Sequence, residues 1–367
     1  MNKLNNLKHT LLLGPGPSTV SPNVYKALAT HTIGHLDPRF IEIMDEIKIL
    51  LRRLFKTEND FCMPVSGTGS AAMESCFVNI LNPNDKILII QNGYFGLRME
   101  NMCERLGADI DLLKFDWGSA VDVNIVEDKI KKNSYGIVAV VHAETSTGVK
   151  NDIEKISEVI PPEAIFLVDA VTSLGTMNVE VDKWGIDAIY SCSQKGLSCP
   201  PGASPISFSQ KAIDKMNKRQ TLIPNWYLDM QEIIKYWDGN QRSYHHTAPI
   251  NMMYALYQSL LDLMDEGIEN VLHRHGQVHE FLVEGLGDLG LEMLVDEDSR
   301  LPSLNAIKIP ENIDDLLIRS SLLNDYDIEI GGGLGPFAGK VWRVGLMGYS
   351  AKEENVNRLL KALKDLL

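Results

Sequence analysis

The chain has no run of lysines or arginines, and its 367 residues carry a formal net charge of −14 at pH 7. That balance argues against nucleic acid or an anionic membrane as a partner, although it permits a local basic pocket for a small anion. No segment approaches the roughly 20 apolar residues of a membrane span, and the first apolar stretch is too short for a signal peptide. The C-terminus KALKDLL carries no SKL-like address. We therefore expect a cytoplasmic protein.

Cysteine is scarce, and its spacing matches neither a CxxC motif nor a zinc ribbon. The five cysteines are Cys62, Cys76, Cys103, Cys192 and Cys199. An odd number without close pairs predicts reduced thiols in a cytosolic protein. The stretches YHHTAP and LHRHGQVH have a metal-like composition, but the second lies on a polar helix, where a solvated face is the commoner outcome. We predict no metal site.

Short apolar runs alternate with helical patterns along most of the chain. The strand-like runs are residues 86–91, 110–115, 135–142, 164–171 and 186–191, and helical patterns cover 70–81, 95–107 and 126–132. This alternation predicts an α/β fold whose mostly parallel sheet is covered by helices. The long helical stretch 251–286 contains Gly267, which marks a break or kink.

The length exceeds what one core comfortably holds, so we expect more than one domain. The last eighty or so residues restart with the strands LNAIKI, IEIGGG and VWRVGLMG and add two helices. We predict an N-terminal arm at 1–20, a large α/β domain at 21–265 and a smaller C-terminal α+β domain at 266–367.

The stretch SGTGSAAMES, residues 66–75, runs small residues directly into a helix. Free N–H groups and the positive end of the helix dipole make such a turn an anion site. It is neither a GxxxxGK[ST] motif nor a GxGxxG fingerprint followed by an acid, so a single phosphate fits better than a nucleotide. A tight turn with a serine cap is the alternative.

Two further residues follow apolar strands of the same predicted sheet. Asp169, in LVDAVTSLG, lies at a carboxyl strand end, where open α/β sheets bind ligands; a helix cap or buried pair is the alternative. Lys195, in DAIYSCSQKGLSCPPG, has small, uncharged neighbours that leave room around its amine. A partly desolvated lysine loses its proton readily and can form a Schiff base, whereas a solvated loop lysine would have no such role.

A one-phosphate turn, an aspartate and a lysine at strand ends of one sheet are what pyridoxal 5′-phosphate requires. The lysine binds the aldehyde, the aspartate keeps the pyridine nitrogen protonated, and the turn holds the phosphate. Together these residues predict that cofactor.

The run from Asp187 to Ile206, with Ser-Gln-Lys and a glycine seven residues after the lysine, resembles the cofactor-lysine signature of class V aminotransferases. The stretches LLLGPGPS, VHAETSTGV, YHHTAP, EIGGGLG and VWRVGLMG are similar to those of the alanine–glyoxylate and serine–glyoxylate aminotransferase group. The resemblance extends from Leu11 to Leu367 and implies a fold-type I transferase dependent on pyridoxal phosphate.

The resemblance also assigns roles around the cofactor ring. It implies that Lys195 is the Schiff-base lysine and Asp169 the pyridinium partner. Phe95 takes the place of an aromatic ring stacked on the cofactor, where some relatives have tryptophan, and Thr145 matches a hydroxyl residue against the ring.

The phosphate contacts implied by the resemblance come from two subunits. They are Thr68, Gly69, Ser70 and Gln194, with Tyr244 and Thr247 reaching the phosphate of a neighbouring subunit. The resemblance therefore implies a homodimer with active sites at the subunit interface.

For the substrate, the resemblance makes Arg343 the contact of the α-carboxylate and places Gly34 and His35, in TIGHLDPRF, near the substrate. An arginine within the apolar run VWRVG should be paired, and its planar fork suits a carboxylate. A structural ion pair is the alternative.

The resemblance implies transfer of an amino group from alanine or serine to glyoxylate in two half-reactions, with Lys195 moving the proton. A small donor is favoured because no second arginine stands in a matched position. Serine–pyruvate or ureidoglycine–glyoxylate transamination is the alternative. A desulfurase or lyase is disfavoured because the last cysteine is Cys199, and a dehydrogenase because no dinucleotide fingerprint follows the first strand. A non-catalytic, cofactor-binding regulator stays open.

Overall fold

The computed structural model describes residues 2–237 and 242–367, which form a central seven-stranded sheet, helices on its faces and a smaller three-stranded sheet. The strands are β1 (Leu11–Leu12), β2 (Phe61–Gly67), β3 (Lys86–Gln91), β4 (Asp109–Lys114), β5 (Ile137–Val141), β6 (Ala143–Glu144), β7 (Val149–Lys150), β8 (Ile165–Asp169), β9 (Ala188–Tyr190), β10 (Gly202–Phe208), β11 (Leu304–Lys308), β12 (Ile328–Glu329), β13 (Gly331–Gly332) and β14 (Val341–Gly345). The helices are α1 (Pro22–Leu28), α2 (Pro38–Phe55), α3 (Gly69–Ile80), α4 (Tyr94–Arg105), α5 (Val123–Lys131), α6 (Ile153–Glu158), α7 (Gln210–Asn217), α8 (Met230–Trp237), α9 (Ile250–Glu266), α10 (Ile268–Asp288), α11 (Asp315–Tyr326) and α12 (Glu353–Leu366).

The central sheet has the strand order β2-β10-β9-β8-β5-β3-β4. From β9 to β4 all neighbouring strands are parallel, while β10 runs antiparallel to both β9 and β2. The inner strands β5 and β8 read IVAVV and IFLVD and are buried along their whole length. Runs without polar alternation are typical of parallel strands covered on both faces. The predicted α/β fold with a mostly parallel sheet is confirmed.

The helices begin and end at residues with the expected local chemistry. Helix α2 starts with Pro38 in its first turn, and the Asp37 side chain accepts a hydrogen bond from the Arg39 N–H. The predicted break at Gly267 is confirmed, because α9 ends and α10 begins there, with a φ of 86°. A positive φ of this size suits glycine.

A second hydrophobic cluster lies around the sheet β11-β14-β13. Its largest fully buried side chain is Trp342, and it includes Leu11 and Leu13 because β1 pairs in parallel with β12. Part of the N-terminal arm therefore packs into the C-terminal sheet region. The division at residues 20 and 265 stays a prediction.

In the part of the chain that the structure describes, no helix combines the length and apolar character needed to cross a bilayer.

Candidate active site

The carboxyl ends of five strands meet at one edge of the central sheet. Strand β2 leads into the turn before α3, β3 leads into α4, β5 leads to Thr145, β8 ends at Asp169 and β9 leads to Lys195. Because these strands run in one direction, their carboxyl ends share one edge, which is where open α/β sheets bind ligands. The fold thus brings together residues that lie far apart in the sequence.

A cavity of about 200 Å³ opens at this edge. It is lined by Gly16, Pro17, Gly69, Ser70, Met73, Phe95, Arg98, Val171, Gln194, Lys195 and Pro201. Five of these residues were predicted from the sequence: Gly69, Ser70, Phe95, Gln194 and Lys195. Arg98 and the arm residues Gly16 and Pro17 were not.

Lys195 is only 8 % exposed, and the N-terminal arm holds it. Its Nζ donates a hydrogen bond to the Pro15 carbonyl, while the Ser18 Oγ donates to the Lys195 carbonyl at 2.7 Å. Burial lowers the pKa of Lys195, and the nearby charges of Arg343 and Arg98 lower it further. A lowered pKa increases the fraction of neutral amine, the form that acts as a nucleophile or base.

The arm approaches Lys195 at Gly16, which has a φ of +111°. A Cβ atom at this position would lie 2.7 Å from Cδ, Cε and Nζ of Lys195. We expect Gly16→Ala to displace the lysine and to lower stability by about 1–3 kcal/mol through backbone strain. Thermal unfolding and the rate of cofactor attachment measure the two effects. Gly290→Ala is the matched control, because Gly290 also has a positive φ but a Cβ added there would have no neighbouring atom within 4 Å; equal losses of attachment in both variants would contradict the proposed contact.

Asp169 is 1 % exposed and fixed by two donors. Its Oδ1 accepts from the Val171 N–H at 2.8 Å and its Oδ2 from the Tyr190 hydroxyl at 2.9 Å. Burial raises the pKa of Asp169 to about 7, and the Glu144 charge adds to the rise, while these hydrogen bonds and Lys195 oppose it. A cationic group brought against this carboxyl would favour its ionised form.

The first turn of α3 is open. Thr68 is the N-cap residue, but its side chain makes no capping hydrogen bond. The free N–H groups there can bind an anion. Beside this turn, the buried Oε1 of Gln194 has no hydrogen-bond partner among the described residues. A buried polar atom left alone is costly and indicates a missing partner.

The first turn of α4 is instead filled by a side chain. The Glu144 Oε2 accepts from the Phe95 N–H at 3.1 Å, and its Oε1 accepts from the Ser146 hydroxyl at 2.6 Å. Burial raises the pKa of Glu144, and these hydrogen bonds oppose the rise. Glu144 thereby fixes the backbone that presents the Phe95 ring to the cavity. Its neighbour Thr145 is 2 % exposed.

Arg343 lies in β14 and is 6 % exposed. Its Nε donates to the Gly332 carbonyl at 2.7 Å and its Nη1 to the Thr145 carbonyl at 3.1 Å. Burial lowers the pKa of Arg343 to about 10, so it stays protonated at neutral pH. No carboxylate of residues 2–237 or 242–367 forms an ion pair with it. Its described hydrogen-bond partners are backbone carbonyls, and the Glu144 charge opposes the fall in its pKa without forming an ion pair with it.

Eight predicted residues do not line this cavity: Asp169, Thr68, Thr145 and Arg343, which are described above, and Gly34, His35, Tyr244 and Thr247. The His35 and Tyr244 rings lie 5.1 Å apart, and the Tyr244 and Thr247 hydroxyls lie 3.3 Å apart. Tyr244 is 58 % exposed. The predicted role of this group at a neighbouring subunit stays a prediction.

The predicted solvated face of LHRHGQVH is wrong for its central histidine. His275 is fully buried and accepts from the Gly348 N–H at 2.9 Å, because α10 packs this side against the turn after β14. Across the described ranges, no three His, Cys, Asp or Glu side chains form a group suited to a metal ion.

Comparisons with known proteins agree with this geometry. The family model "Aminotransferase class-V" matches residues 22–359. Alanine–glyoxylate aminotransferase of Oryctolagus cuniculus is 39% identical, over 98% of this chain and 93% of the relative. The (S)-ureidoglycine–glyoxylate transaminase of Bacillus subtilis is 35% identical, over 97% and 90%. A solved alanine–glyoxylate aminotransferase from Nostoc sp. superimposes with a TM-score of 0.96 at 45% identity, covering 100% of this chain and 99% of that one. The chain therefore belongs to the class-V aminotransferase family.

Proposed function

We propose that this aminotransferase binds pyridoxal 5′-phosphate and moves an amino group from alanine or serine to glyoxylate. The observation that carries the proposal is the burial of Lys195 in a cavity whose wall includes the open first turn of α3 and Val171, whose N–H donates to the buried Asp169. The names of the relatives, alanine–glyoxylate aminotransferase and ureidoglycine–glyoxylate transaminase, support glyoxylate as the acceptor.

The residues present fit this cofactor. When bound, pyridoxal phosphate supplies an aldehyde that condenses with amines and a protonated ring that withdraws electrons from the substrate α-carbon. Lys195 would hold the aldehyde carbon, Asp169 would keep the proton on the ring nitrogen, and Phe95 would contact a face of the ring. Thr145 would lie against the ring. The turn Thr68, Gly69 and Ser70 would hold the phosphate, and the Gln194 side chain would donate an amide N–H to it.

Lys195 also serves as the base in this proposal. With the substrate amine bound in its place, its neutral Nζ would accept a proton from the substrate α-carbon. The lowered pKa of Lys195 increases the fraction of neutral amine, the form that acts as a base. The Pro15 carbonyl accepts a hydrogen bond from Nζ and so positions it.

Arg343 would bind the substrate carboxylate with its free guanidinium edge, while Nε and Nη1 keep their carbonyl partners. Because hydrogen bonds to charged groups contribute about 1.5–3 kcal/mol, we expect Arg343→Ala to lower kcat/KM for the amino donor roughly 10- to 100-fold. Steady-state kinetics with alanine measures this. Arg343→Lys should retain only part of the wild-type kcat/KM, because an ammonium group lacks the planar fork of a guanidinium.

Arg358→Ala is the control for Arg343, since Arg358 is an exposed arginine of the nearby helix α12. An unchanged kcat/KM in a folded Arg343→Ala variant would refute the carboxylate role.

We further propose a homodimer in which Tyr244 and Thr247 of one subunit reach the cofactor phosphate of the other, with Gly34 and His35 near the substrate. The supporting observation is the exposure of large apolar side chains, with Leu222 93 %, Trp226 64 % and Tyr244 58 % exposed, and the Trp226 ring stacks on His245, the residue after Tyr244. Contiguous exposed apolar surface is typical of interfaces. A cytoplasmic location is proposed from the five free, buried thiols.

A donor panel tests the substrate proposal. Purified protein with pyridoxal phosphate is assayed with alanine, serine, aspartate or ureidoglycine as donor and glyoxylate or pyruvate as acceptor. Alanine or serine with glyoxylate should give the highest kcat/KM. A preference for aspartate would contradict a small donor, and a preference for ureidoglycine or for pyruvate would select the alternative reactions.

A further inference from the structure

We infer that Arg98 is the cationic contact for the phosphate of the cofactor. This inference rests on the proposed function and assigns the site a residue that the sequence motifs do not include. Arg98 lies on α4, one turn after Phe95, and lines the cavity together with Lys195 and Gln194.

The guanidinium is held beside the phosphate turn. Its Nη1 donates to the Ser70 Oγ at 3.0 Å, and Ser70 belongs to the open first turn of α3. The guanidinium carbon lies 4.7 Å from the centre of the Phe95 ring and 5.5 Å from that of Tyr94. Two aromatic faces and one hydroxyl thus hold the Arg98 guanidinium beside the free N–H groups at the start of α3.

Arg98 has no counter-charge in the described ranges. It is partly buried, and no carboxylate there lies within ion-pair distance of it. A cation removed from water requires a compensating charge. The other phosphate-turn residues, Thr68, Gly69 and Gln194, are uncharged, so a bound phosphate dianion would find its positive partner in Arg98.

The two arginines near Lys195 are attached to different parts of the site. Arg98 is joined to the phosphate turn through Ser70, whereas Arg343 is joined to the Thr145 and Gly332 carbonyls. Arg98 lines the cavity together with Lys195, and the charges of both arginines lower the pKa of Lys195. This arrangement assigns the substrate carboxylate to Arg343 and the cofactor phosphate to Arg98.

The test measures reversible binding in the full-length chain. Lys195→Ala is the parent, because without the lysine pyridoxal phosphate binds without covalent attachment. Its dissociation constant is measured by equilibrium dialysis, with inorganic phosphate as a competitor. Arg98→Met in this parent should weaken pyridoxal phosphate binding roughly 10- to 100-fold and weaken the competition by phosphate by a similar factor. Arg98→Lys should retain part of the affinity for pyridoxal phosphate and part of the competition by phosphate, since it keeps the charge.

Arg105→Met is the matched control, because Arg105 is an exposed arginine in the last turn of the same helix. It should bind both ligands as the parent does, and circular dichroism should show the parent's helix content in every variant. Equal pyridoxal phosphate affinity in Arg98→Met and parent would overturn the role of Arg98 alone. Weaker cofactor binding with unchanged competition by phosphate would also overturn it, since Arg98 would then act through the Phe95 ring. A wild-type chain that binds no pyridoxal phosphate would overturn the proposed function instead.

Discussion

Replacing Lys195 with alanine should abolish transamination while the protein stays folded. The side chain is proposed to hold the cofactor covalently and to move the substrate proton. Acid–base catalysis by a positioned side chain contributes roughly 10²- to 10⁴-fold, and loss of covalent attachment adds to this. We therefore expect kcat to fall by at least about 10⁴-fold. Steady-state and single-turnover assays with alanine and glyoxylate measure the loss.

Borohydride reduction followed by peptide mapping locates the attachment independently. In the wild-type chain the pyridoxyl group should lie on Lys195, and in Lys195→Ala no lysine should carry it. Lys364→Ala is the control, because Lys364 is exposed on α12. A label elsewhere in the cofactor-loaded wild type, or full activity in Lys195→Ala, would refute the assignment.

Asp169→Asn should stabilise the cofactor-free protein at alkaline pH. The pKa of Asp169 is about 7 in the folded chain, against an ordinary value of 3.8. Between these values the folded state binds more protons than the unfolded state, so its stability falls as pH rises. The asparagine amide does not ionise, so it does not cause this loss of stability at high pH. At pH 8 the variant should exceed the parent by up to about 4 kcal/mol, and at pH 4 the two should be nearly equal.

Denaturant unfolding of the cofactor-free forms at both pH values measures this crossover. Asp325→Asn, at an exposed aspartate of α11, is the matched control. The same Asp169→Asn variant should lose roughly 10²- to 10⁴-fold in kcat, because an amide cannot keep the ring nitrogen protonated. An Asp169→Asn variant that is more stable at pH 8 but inactive would show that this carboxyl serves catalysis at a cost in stability. A variant that is less stable than the parent at pH 8 would contradict the burial argument.

The sequence predicted the sheet well where strands are uninterrupted. The run KILIIQ coincides with β3 at residues 86–91. The strands β2 and β10 were missed as strands because each contains a proline, Pro64 and Pro205, which lie opposite each other in the ladder. Proline removes a backbone donor and weakens the strand signal, and only the pairing reveals that both are tolerated.

The site was predictable where a residue follows its own strand. Asp169 and Lys195 could be found because position at a strand end is a local signal. Arg98 could not, since an arginine on an amphipathic helix has the pattern of a solvated residue. The sequence also indicated that Lys195 lacks cationic neighbours. That expectation is wrong, because α4 brings Arg98 into the same cavity and the charges of Arg98 and Arg343, from distant parts of the chain, lower the pKa of Lys195.

The backbone of the N-terminal arm contacts both the strand that carries Arg343 and the side chain of Lys195. The Leu13 carbonyl accepts from the Gly345 N–H, two residues after Arg343, and the Pro15 carbonyl accepts from Lys195. Neither contact involves a side chain of the arm. Alanine substitution of Leu13 or Pro15 would therefore leave both carbonyl acceptors in place. A single proteolytic cut within the arm would instead weaken both contacts, to the strand of Arg343 and to Lys195, without changing any side chain.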